Sequence, residues 1–170
     1  MPTTNERYLA AIGSRDLKHN ARGTADIDVV GAVGMTGKHH ELGVVAVRFA
    51  AGDNQAGERA VQLMVEKVIG RAWRASRQRL SKGTAQQIAR TVLAWSRDGR
   101  CKPCDGLGFG KVPGAPALSS VACTHCNGSG RVSLAGAAGE HHAAAAWLAE
   151  ELDHAVRLLG SCTRRKLHGE

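Results

Sequence analysis

Cys101-Lys-Pro-Cys104-Asp-Gly106-Leu-Gly108 and Cys123-Thr-His-Cys126-Asn-Gly128-Ser-Gly130 are two copies of one pattern, CxxCxGxG, and they hold four of the five cysteines in the chain. Each CxxC sets two sulfurs on one tight turn, and four thiolates at this spacing match what a single tetrahedral, structural zinc ion requires. The glycines behind each pair permit positive φ and let backbone N–H groups point at the sulfurs, easing their negative charge. The stretch between Cys104 and Cys123, rich in Gly, Pro, Ala and Ser, reads as a flexible excursion joining two knuckles that close on one metal. Four sulfurs fill the coordination sphere, so no position remains for water or substrate and the expected role is structural. A redox dithiol is the competing reading of any CxxC, but neither copy follows a βαβ pattern, and thiol chemistry has no use for the paired glycines. His125 lies between two of the ligands and is the residue placed to substitute for a sulfur, while Cys162 stands alone and reads as an ordinary free thiol.

Upstream of the knuckles, Val61, Met64, Val65, Val68, Ile69, Ala72 and Trp73 recur at i, i+3, i+4 and i+7. They define one long amphipathic helix that follows Asp53-Asn54 and runs to about Leu80. Gly70 inside it predicts a bend or a close helix crossing. A second helix is expected to start at Thr84, with Gln87 reaching back as in a capping box, and to bury Ala85, Ile88, Ala89, Val92 and Leu93. The turn Ser81-Lys-Gly83 makes the pair an antiparallel hairpin. Trp73 and Trp95 fall on or beside the apolar stripes and read as core residues. Downstream, the segment from about Ala138 to Leu159 predicts a final helix with Ala144, Leu148, Leu152, Ala155, Val156 and Leu159 on one face, and Arg164-Arg-Lys166 closes the chain as a basic tail. Two earlier segments stay ambiguous. Ile27, Val30 and Val33, and likewise Leu42, Val45 and Phe49, are spaced for a helix, yet β-branched residues and glycines suit a strand equally well.

These readings make the chain mainly α: a helical hairpin core with an inserted four-cysteine zinc-binding lobe of short β-turns and a C-terminal helix. The expected divisions are a mobile N-terminal arm over 1–25, a helical core over 26–99, the zinc lobe over 100–132, the C-terminal helix over 133–160 and the basic tail over 161–170. At 170 residues there is material for one core plus a metal-held lobe and too little for two independent cores. Neither a signal peptide nor an apolar run long enough to span a bilayer is found, and the cysteines are grouped as ligands, which together favour a soluble protein in a reducing cytoplasm with no membrane partner.

Lys and Arg outnumber Asp and Glu by 23 to 15, a formal charge of +8 that points to a polyanionic partner. Two Phe, one Tyr and three Trp supply few faces for base stacking, so duplex backbone contact is favoured over single-strand binding. Lys67, Arg71, Arg74, Arg77, Arg79 and Lys82 load the end of the long helix and its turn with positive charge, with no acidic residue after Glu66, and are the candidate nucleic-acid contacts. A solvated helix face whose Lys and Arg stems cover apolar neighbours explains the same run. His39-His40 and His141-His142 are adjacent pairs that would point about 100° apart on a helix and read as surface residues. No carboxylate pair, nucleophile motif or phosphate-cradling loop is present, so an enzyme reading has no anchor and no small-molecule substrate is expected.

The arrangement resembles the late-gene antitermination protein Q of lambdoid bacteriophages, in the branch whose zinc finger is similar to that of the DnaJ chaperones. The resemblance covers 27–131. It rests on Val30-Gly-Ala-Val-Gly34-Met35, Leu42-Gly43, the helix containing Asp53 to Arg74, the shorter helix through Ala89 to Leu93, and Cys101-Lys-Pro-Cys104-Asp-Gly-Leu-Gly-Phe109. That family is predominantly helical, which implies helix for both ambiguous segments. The resemblance further implies binding to DNA and to a paused RNA polymerase, with readthrough of terminators as the outcome; a protein-binding zinc module of the chaperone kind is the alternative.

Overall fold

The computed structural model describes residues 6, 8, 10, 11, 26–77, 79–111 and 118–168. Helices α1 (Asp26–Gly37), α2 (Glu41–Ala50), α3 (Asn54–Ser76) and α4 (Lys82–Arg97) precede the cysteine lobe, whose strands are β1 (Phe109–Lys111) and β2 (Leu118–Ala122). Short α5 (Leu134–Ala138) and long α6 (His142–His168) follow. The protein is mainly helical, and both ambiguous segments are helices.

Asp53 caps α3 by accepting the Ala56 N–H at 3.1 Å, and its other carboxylate oxygen meets Arg48 at 2.6 Å, which ties the end of α2 to the start of α3. The helix ends at Ser76 and not near Leu80, because Arg77 turns left-handed (φ 56°) and donates its N–H to Trp73 O. Trp73 is 45% exposed, so the core assignment made for it does not hold. Gly70 lies in unbroken helix, where a Cβ would meet nothing nearer than an Arg74 side-chain nitrogen at 3.9 Å; no close crossing occurs there. The cap of α4 is Ser81, whose hydroxyl accepts the Thr84 N–H at 3.0 Å, one turn earlier than the Thr84–Gln87 box expected.

α2, α3, α4 and α6 share one core. Met64 on α3, Ile88 and Val92 on α4 and Leu148 on α6 are fully buried at its centre. The C-terminal helix is thus part of the same body as 26–99. Truncating Leu148 to Ala should cost about 2–5 kcal/mol, read as a lower denaturant midpoint at unchanged slope.

The segment expected as a basic tail is helical through His168. Leu159 and Thr163 are buried, and Leu159 packs with Tyr8, Val33 and Val47 while Leu167 covers the same cluster. The buried hydroxyls of Thr163 and Thr36 lie 3.3 Å apart, and Thr36 donates to Ala32 O at 2.9 Å. Most of the arm expected over 1–25 lies outside the described residues. Within it Tyr8 and Ala11 are helical and buried, so this part is packed onto the helical body.

Candidate metal centre

The two knuckles converge. One ligand sulfur from each of Cys101, Cys104, Cys123 and Cys126 can be drawn from a group in which all four lie within 4.8 Å of one another. Cys101 Sγ is 3.9 Å from Cys123 Sγ, and Cys104 Sγ is 3.7 Å from Cys126 Sγ. A tetrahedron with metal–sulfur bonds of about 2.3 Å has edges of about 3.8 Å, so these separations fit a tetrathiolate site. His125 is exposed and outside the group.

The backbone builds this site twice, with near two-fold symmetry. Gly108 N–H points at Cys104 Sγ and Gly130 N–H at Cys126 Sγ, each at 3.3 Å. Cys101 N–H donates to Gly130 O at 2.9 Å and Cys123 N–H to Gly108 O at 2.7 Å, so each knuckle begins by bonding the end of the other. Asp105 and Asn127 occupy equivalent left-handed positions with φ of 51° and 49°, a conformation these two residue types tolerate better than most. A Cβ at Gly108 would collide with the carbonyl of Gly128, and one at Gly130 with the carbonyl of Gly106. The closing glycines are therefore fixed by contact across the pseudo-two-fold as much as by their own turns.

Burial pushes the Cys101 thiol up to about 12. A divalent cation among the sulfurs reverses that balance, since coordinated thiols are held as thiolates, and the two inward N–H groups stabilise the same charge. The donor set and its geometry thus suit a metal ion. The excursion between the knuckles is more ordered than its composition predicts. β1 and β2 pair antiparallel, Phe109 opposite Ala122 and Lys111 opposite Leu118, while residues 112–117 fall outside the described set.

The lobe is stapled to the end of α4. Val132 N–H donates to Gly99 O at 2.9 Å, Trp95 Nε1 donates to Val132 O at 2.8 Å, and Arg100 and Arg131 form an antiparallel bridge between the two chain crossings. Trp95 is thus half-buried at the seam with its indole N–H satisfied. Lys102, and after it Arg100, hold the Asp98 carboxyl well below the usual carboxylate range, with Asp98 oxygens at 2.6 Å from Lys102 and 3.0 Å from Arg100.

The candidate nucleic-acid residues cluster at the opposite end of the hairpin, and three of them are engaged within the molecule. Lys67 pairs with Glu151 at 2.9 Å, and the Arg71 guanidinium lies over the Trp147 ring at 4.5 Å. Arg77 sits over exposed Trp73 at 5.5 Å. Arg74, Arg79 and Lys82 are exposed. Among the described residues no helix is long and apolar enough to cross a membrane.

No family model, curated protein or solved structure matches this chain.

Proposed function

We propose that the cysteines hold one structural zinc ion and that the chain is a phage-type transcription antitermination factor. In this reading it is not an enzyme. It works in the host cytoplasm, binds DNA and RNA polymerase, and promotes readthrough of terminators for late-gene expression. The observation that supports the reading most is the placement of a closed four-sulfur lobe directly on the end of a basic helical hairpin. The same order of elements underlies the resemblance to the phage Q proteins. A zinc ion here supplies rigidity: it fixes the lobe against α4 so that both present one surface.

Such a factor acts through differential binding. It must prefer the elongation-competent polymerase to the paused one, since equal affinity for both shifts no equilibrium. Transcription in vitro through a terminator, on a template carrying the protein's own upstream DNA, should show readthrough that disappears when that DNA is replaced. Absence of readthrough on the native template would refute the proposal. Metal analysis of the purified chain should return one zinc per molecule.

A second reading, a zinc module that binds other proteins, draws on the exposure of Leu107, Leu118 and Val121 on the lobe, the last at 68%. Binding to unfolded polypeptide with weak salt dependence would favour it, whereas DNA binding weakens steeply with salt.

A further inference from the structure

We propose that the cleft at the seam between α4 and the cysteine lobe is a binding site for the phosphate backbone of duplex DNA, with Arg97, Arg100 and Arg131 as its contacts. The proposal rests on the reading that the chain binds nucleic acid, and it assigns that contact to residues far from the basic hairpin turn. The cleft has a volume of about 640 Å³ and is lined by the three arginines, Asp98 and the backbone of Gly99 and Gly130.

Three features suit it to phosphate. First, the guanidinium groups are held in place before any ligand arrives. Arg131 lies over the Trp95 ring at 5.5 Å and against Gly99, where a Cβ would come within 2.9 Å of its Nη2. Arg97 lies over the Phe49 ring at 4.8 Å and gives one N–H to Asn54 at 3.3 Å. Stacking fixes a guanidinium while leaving most of its five donors for an anion. Second, positive charge prevails. Among the described residues Asp98 is the one carboxylate lining the cleft, against three arginines, and its partners Arg100 and Lys102 keep side chains 70% and 74% exposed. Exposed ion pairs of this kind are weak and exchange readily for a phosphate. Third, each aromatic ring at the seam already carries an arginine, Arg131 on Trp95 and Arg97 on Phe49, which leaves less face for unpaired bases and favours a duplex over a single strand.

The seam and the hairpin turn occupy opposite ends of α4. Sixteen residues at about 1.5 Å each separate them by roughly 24 Å. That is about seven steps along a duplex strand at roughly 3.4 Å, so substitutions at the two ends should act independently.

The test is fluorescence anisotropy of a labelled duplex of about twenty base pairs, titrated with the full, zinc-loaded chain at about 50 and about 200 mM salt. Each lost phosphate contact lowers the slope of log K against log salt by about 0.9. Arg97→Gln combined with Arg100→Gln should therefore reduce the affinity lost between the two salt concentrations by about 12-fold relative to the unaltered chain, with helicity and zinc content unchanged. Arg79→Gln combined with Lys82→Gln reports on the turn. If the seam variant keeps the original slope while the turn variant loses it, the seam assignment is overturned and DNA binding stands. If the unaltered chain shows no salt-dependent binding to duplex, both the assignment and the DNA reading fall. An equal loss with single-stranded RNA of the same length but none with duplex would also overturn the choice of partner.

Discussion

Replacing Cys104 with Ser should release the metal and unfold the lobe over 100–132 while leaving the helical body standing. Among the described residues the lobe has almost no apolar core of its own: its buried cluster is Cys101, Cys104 and Cys126, with Cys123 and Val132 packed against them. A metal held among the sulfurs would take the place of a core, and structural zinc sites contribute on the order of 10–16 kcal/mol to folding of such units. The body draws on a separate set of residues centred on Met64, Ile88, Val92 and Leu148. Hydrogen exchange is the direct measurement. Protection should vanish at Gly108 N–H and Gly130 N–H, which point at sulfurs, and persist in α3 and α4. A strong chelator should reproduce the pattern in the unaltered chain. Loss of helicity and protease resistance throughout would mean that body and lobe fold as one unit.

Gly130→Ala should be nearly as damaging, although it replaces no ligand. The residue has φ of 72°, and an added methyl would run into the Gly106 carbonyl of the other knuckle. Gly128→Ala is the matched control: its φ is 83°, yet its Cβ would meet only Ala122 Cβ at 3.5 Å. The control should cost the backbone strain alone, about 1–3 kcal/mol, and retain the metal. Gly130→Ala must in addition push the knuckles apart, widening sulfur separations now at 3.7 and 3.9 Å. The expected result is a zinc affinity far below that of the control, measured by competition with a chelator. Equal affinities in the two variants would show that the closing glycines serve only their own turns.

The four sulfurs were readable because ligand spacing is local: each CxxC is confined to one turn, and only the pairing of the two turns is a long-range event. The long helix was readable because Val61, Met64, Val65 and Val68 repeat over several turns with one face buried. Its end was not, since Trp73 and Leu80 continue the apolar period that the left-handed Arg77 interrupts. α2 resisted reading because it is buried on more than one side: Leu42 and Val45 join the main core while Val47 joins the second cluster, which erases a simple stripe. α1 buries one face through Ala32, Val33 and Thr36, too short a stripe to outweigh its glycines and β-branched residues. The continuation of α6 was masked by Arg164-Arg-Lys166, although Leu159, Thr163 and Leu167 at four-residue intervals carry the signal. Arg97 and Arg131 are distant in sequence and meet only because the lobe returns to its point of departure, so no local pattern marks the seam cleft.

That return has a consequence for how the chain can be rebuilt. With Gly99 and Val132 hydrogen-bonded at 2.9 Å, the lobe enters and leaves through a single doorway, and its two ends stand side by side. A short peptide link could bridge them without disturbing α4 or α6, at little loop-closure entropy. The cysteine unit is thus a graft that can be excised, enlarged or exchanged for another whole, whereas the helices beneath it must change together.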